Sequence, residues 1–106
     1  CRELDILSSL VGAVCRHYAR YPGWEYSPVS PLRDKYISSF KQLYGKDLTV
    51  GVIHAGLECG ILASKTSGMD IISVGPDMYD IHSPNEHLSL ASVNRVWNVL
   101  LDVVRG

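Results

Sequence analysis

Two short segments hold the residues whose types and spacing could do chemistry. His82 lies in the stretch GPDMYDIHSPNE at 75–86. Neutral imidazole is a common zinc donor, and Pro84, two residues on, stiffens the loop that would aim it. An exposed loop histidine is the plainer reading on spacing alone. Asp80 and Glu86 lie close by without a recognisable ligand register, and as carboxylates they default to solvent. His87 reads as a surface residue, and His17 as a pairing or surface residue rather than a ligand. The second segment is HAGLECG at 54–60. Gly56 and Gly60 would let the backbone come close to a ligand. Amides that open a helix can bind an anion such as a substrate carboxylate. Plain turn geometry accounts for these glycines equally well. Cys59 with His54 as base could form a nucleophilic pair, but nothing local orients the imidazole, and Cys59 serves equally as a small core residue. The sequence holds no HExxH, Walker loop or GxSxG.

These segments need elements to position them. Residues 2–11 read as a helix with Leu4, Leu7, Leu10 and Val11 on one face, stopped at Gly12. Residues 13–21 read as a strand. YPGWEYSPVSP follows, and its prolines remove backbone donors and turn their predecessors away from helix. A domain boundary is therefore expected near Pro22. Ser30-Pro31 is a strong helix start. Leu32, Tyr36, Ile37, Phe40, Leu43 and Tyr44 recur at helical spacing, and Gly45 ends the run. Strands are expected at 48–54 and 70–74, with a short helix at about 57–64 between them and a long loop from Gly75 to Leu88. Ser89 caps a final helix with a predicted buried stripe of Val93, Val96, Trp97, Leu100 and Val104. The alternation predicts an α/β fold, parallel where 48–54 and 70–74 pair. Both chemical segments then follow strands, and open α/β sheets collect ligands at the carboxyl ends of strands.

Composition narrows the classes. The chain has 106 residues, is 46% hydrophobic and 20% charged, and carries a net charge of −1. That is an ordinary globular profile, with no basic field for nucleic acid. No apolar run approaches the roughly 20 residues of a membrane span, and no signal peptide is visible. A start at Cys1 rather than Met is expected of an excerpt from a longer protein. Cys1, Cys15 and Cys59 form no CxxC pair, so a cysteine zinc site is not expected, and free thiols suit a reducing, cytoplasmic setting.

Together, YPGW at 21–24, HAGLECG at 54–60, MDIISVGP at 69–76 and HSPNE at 82–86 resemble the C-terminal part of bacterial Xaa-His (aminoacyl-histidine) dipeptidases, also called bacterial carnosinases. These belong to the co-catalytic zinc peptidase group with aminoacylases and carboxypeptidase G. The resemblance implies a three-layer α/β catalytic domain, a sheet between helices, with an inserted lid domain. Residues 1–21 would end the lid, and 22–106 would be the C-terminal part of the catalytic domain. His82 matches a histidine that binds one of two zinc ions, with cobalt or manganese as substitutes. His54, Ala55, Gly56, Leu57 and Glu58 would line the substrate cleft near the dipeptide's carboxylate end. Asp80 is the candidate acceptor for the second nitrogen of His82. The remaining ligands and the general-base glutamate would lie upstream, so the resemblance implies no catalytic residue in this chain and no activity from it alone. The implied activity is a cytoplasmic metallo-dipeptidase with a dipeptide substrate, and the isolated piece is expected to dimerise or self-associate. The alternative is a non-catalytic relative that binds a peptide or a partner.

Overall fold

The structure, a computed structural model, describes residues 2–19, 21–53 and 58–106. The elements are α1 (Arg2–Leu10), α2 (Pro31–Tyr44), α3 (Glu58–Lys65), β1 (Met78–Tyr79), β2 (His87–Leu88) and α4 (Leu90–Arg105).

Helix α2 begins where the Ser30-Pro31 pair places it. Ser30 has an extended backbone, and its hydroxyl accepts from the Arg33 amide at 3.1 Å. The same hydroxyl donates to Asp70 Oδ1 at 2.6 Å, and the Leu32 amide donates to Asp70 Oδ2 at 2.8 Å. Asp70 thus supplies an anion to the positive end of α2 and answers an amide that has no partner within the helix. The hydrogen bond from Ser30, then that from the Leu32 amide, hold its carboxyl below the usual carboxylate range; Arg33 adds to this and partial desolvation opposes it. Gly45 ends α2 at φ 64, and its N–H donates to Lys41 O at 2.8 Å. Only a left-handed residue closes a helix this way at little steric cost.

Helix α4 opens on Ser89, whose side chain accepts from the Ser92 amide. It packs along α2. Val99, fully buried, forms the core with Tyr36 and Val103, and Leu32, Phe40, Tyr44, Leu48 and Ile72 close around them. Burying a valine side chain contributes roughly 1.5–3 kcal/mol. The Ser39 hydroxyl donates to the Asp102 carboxylate across the same interface, and the Tyr44 hydroxyl donates to Arg95 O at 3.4 Å.

The face α4 buries differs from the expected one. Ser92, Val99 and Val103 point inward, whereas Trp97 is 59% and Val104 83% exposed. The helix is apolar over more than one stripe, and periodicity does not say which stripe finds the partner. Most of the expected α2 face does pack, but Leu43 stays exposed. All of the expected α1 face, Leu4, Leu7, Leu10 and Val11, is exposed.

Segments 13–18, 48–53 and 70–74 are not paired strands. An apolar, β-branched run becomes a strand only when a neighbour answers its amides and carbonyls, and among the described residues none does. The sheet that does form is inside the expected loop: β1 and β2 pair antiparallel, Met78 with Leu88 and Tyr79 with His87.

Candidate functional site

His82 sits on the hairpin between β1 and β2. The hairpin is held at its base by Asp77, whose amide donates to Ser92 Oγ at 2.9 Å and whose carbonyl accepts from the Ser89 amide at 3.0 Å. Arg95 donates to the Asp77 carboxylate at 2.9 Å. The loop is thereby fixed to the first turns of α4. At its tip the Ser83 amide donates to Asp80 O and the Glu86 amide to Ser83 O, both at 3.1 Å. The His82 amide donates to Glu86 Oε2 at 2.9 Å, which gives Glu86 a defined part in shaping the turn.

His82 itself is exposed and takes a left-handed backbone, φ 65; Asp80 does too, at φ 52. Non-glycine residues in this region are strained by about 1–3 kcal/mol, and such strain concentrates at functional positions. The turn therefore holds out an imidazole at some conformational cost. Asp80 does not meet the expectation set for it as the partner of His82. Its carboxylate faces His87 Nδ1 at 3.8 Å, and the His87 ring stacks on Tyr79 with centroids 5.1 Å apart.

Of the expected cleft residues, His54, Ala55, Gly56 and Leu57 lie outside the described residues. Glu58 is the exposed first residue of α3. Packing requires glycine at position 60, because a Cβ there would stand 2.6 Å from Pro22 O and 3.7 Å from Trp24 Cβ. Gly60 lets α3 lie against the YPGW segment, so two of the sequence motifs are in contact. Glu58 and Cys59 are also near Tyr21, whose hydroxyl is pushed above its ordinary pKa by desolvation first, then by Glu58 and Cys59. The segments leading into the two motifs, 48–53 and 69–75, both line one open groove, with Tyr36 and Phe40 from α2 and Arg95 and Val96 from α4.

A tetrahedral zinc ion needs three or four protein donors. His82 has the accessibility and the fixed backbone of a donor, but among the described residues the one group of three donor side chains that converge is Asp5, Cys15 and His17. A metal held at His82 would need further donors beside it.

Across 102 residues the chain is 34% identical to the cytosol non-specific dipeptidase of Escherichia coli (strain K12), a match covering 96% of this chain and 21% of that protein. The chain is similar to a stretch of a dipeptidase. It spans about a fifth of the length of the curated relative it matches. No family model matches. The expected resemblance to a dipeptidase holds at that level. Among the described residues no helix is long and apolar enough to cross a membrane.

Sequence reasoning missed three juxtapositions: Asp70 at the start of α2, Gly60 against Pro22, and Asp5 with Cys15 and His17. The first and last join residues distant in sequence and leave no local pattern. The second had a signal, a glycine interrupting a helical run.

Proposed function

We propose that this chain is part of a cytoplasmic metal-dependent dipeptidase and that His82 is one of its metal ligands. The observation that carries the reading is the similarity to a dipeptidase along nearly the whole chain. The strained, exposed and hydrogen-bonded turn that presents His82 supports it. In this reading residues 22–106 belong to a three-layer α/β catalytic domain and residues 1–21 end a lid. Segments 48–54 and 70–74 become strands once other parts of the protein supply their neighbours.

Two zinc ions, when bound, would polarise the scissile carbonyl and acidify a water. The chain's own residues do the positioning. His82 would offer an imidazole nitrogen to the metal from a turn held by Glu86. Asp77, through Ser89, Ser92 and Arg95, keeps that turn in register with α4. By the resemblance of HAGLECG, residues 54–58 would contribute to binding the substrate's carboxylate end. The base glutamate and the other ligands come from outside this chain, so the chain alone hydrolyses nothing. The proposed substrates are Xaa-His dipeptides, the narrower choice within the broad dipeptidase activity that the relative's name describes.

The test is made in the full-length protein. His82→Ala is expected to lower the initial rate on an Xaa-His dipeptide by several orders of magnitude and to lower bound metal, whereas Cys59→Ala retains activity. Near-parental rate and metal content in His82→Ala, with loss of activity in Cys59→Ala, would overturn the metallopeptidase reading in favour of a cysteine nucleophile. Comparing Xaa-His with other dipeptides tests the narrower substrate claim separately.

A further inference from the structure

Helix α1 has nine residues and buries none of them. Isolated helices shorter than about 12–15 residues are marginal in water, so its order must come from something other than a core. The chain reverses directly after it. Gly12 is left-handed at φ 70, the Gly12 amide donates to Ser9 O at 3.2 Å, and the Ala13 amide donates to Ser8 O at 2.9 Å. This paired closure turns the following residues back along the helix. In the segment that returns, Cys15 and His17 are two residues apart. Both meet Asp5 from α1. His17 Nε2 lies 2.5 Å from Asp5 Oδ1, and donor atoms of Asp5, Cys15 and His17 all lie within 4.8 Å of one another.

We infer that Asp5, Cys15 and His17 form a zinc site that clips α1 to the returning segment. One thiolate, one imidazole and one carboxylate are each established zinc donors, and three protein donors leave a fourth position for water. Donors around a tetrahedral zinc lie roughly 3.3–3.8 Å apart, from bond lengths of about 2.0–2.3 Å. The present spacing reaches that range by side-chain rotation, with the His17–Asp5 contact opening by about 1 Å to admit the ion between them. On binding, the Cys15 thiol releases its proton to solvent and the imidazole binds neutral. A soft sulfur donor selects zinc over magnesium or calcium. The site does not depend on the peptidase reading and shares no residue with the His82 turn.

The experiment titrates the whole chain, reduced, with Co2+ alone and then displaces it with Zn2+. One equivalent of Co2+ is expected to give thiolate-to-cobalt charge-transfer absorption that Zn2+ abolishes. Cys15→Ser and His17→Ala lose the absorption. Asp5→Asn lowers Co2+ affinity at least about tenfold, since even a residue one shell removed from a metal is worth about 10–100-fold. Cys1→Ser, Cys59→Ser and His82→Ala keep the absorption. Zn2+ also slows alkylation of Cys15 by at least about tenfold, as a tightly held thiolate must, while Cys59 reacts at an unchanged rate. The proposal is overturned if the parent chain gives no such absorption, if it survives Cys15→Ser or His17→Ala, if it disappears in any of the three variants expected to keep it, or if Zn2+ leaves Cys15 alkylation unchanged.

Discussion

Replacing Gly60 by alanine sets local propensity against tertiary contact. Gly60 lies within α3, and on helix propensity alone alanine should stabilise it by about 0.8–1 kcal/mol. The structure requires the opposite sign. The added methyl would stand 2.6 Å from Pro22 O, a backbone atom, and 3.7 Å from Trp24 Cβ. A carbonyl oxygen cannot rotate away as the end of a side chain can, so α3 or the 22–24 segment must move by several tenths of an ångström. Overpacking of this kind costs typically about 1–3 kcal/mol. Set against the propensity gain, the expected net loss is about 1 kcal/mol. The assay is urea unfolding followed by far-ultraviolet circular dichroism and by Trp24 emission, in a Trp97→Phe background so that one tryptophan reports. Gly60→Ala should lower the midpoint and alter native Trp24 emission. A midpoint raised by the full propensity gain, with unchanged emission, would refute the close packing of α3 on YPGW.

Other expectations follow from the same contacts. Val99→Ala should destabilise the chain by about 1–3 kcal/mol, as deletion of buried methyls does, whereas Val104→Ala, on the exposed face, should stay within about 0.5 kcal/mol; equal effects in denaturant titrations would mean that the buried face of α4 is wrongly identified. Ser30→Ala should cost about 1–2 kcal/mol by removing the cap of α2, read as a lower urea midpoint. Asp70 has a folded-state pKa below its unfolded value. Its contribution is therefore fully present above the unfolded carboxylate range, near pH 4, and is lost as pH falls through the lower folded value. Asp70→Asn should be less stable at neutral pH and show a shallower loss on acidification, and parallel pH profiles for the two would contradict the clamp. With Val93, Trp97, Leu100 and Val104 exposed on α4, the isolated chain should self-associate. Trp97→Lys with Leu100→Lys should shift it toward monomer in light scattering, and a monodisperse parent would count against the idea.

Helix limits were legible because capping is local chemistry. Ser30-Pro31, Gly45 and Ser89 each satisfy or end a helix with groups a few residues away, so the sequence by itself determined where α2 and α4 begin and where α2 stops. It also marked the His82 loop, through a proline and unusual length. Other features depended on pairing, which the sequence does not encode position by position. Runs 48–53 and 70–74 have strand composition, yet ladder bonds require a neighbour, and composition does not supply one. Helix α4 has more than one apolar stripe, and only docking on α2 selected Val99 and Val103 over Trp97 and Val104. Asp70 reads as a surface carboxylate until the fold brings it to the start of α2. Asp5, Cys15 and His17 have no ligand spacing along the chain; a left-handed turn at Gly12 makes them neighbours. Local rules fix what a residue does to its own backbone, and chain reversal decides which distant side chains share a volume.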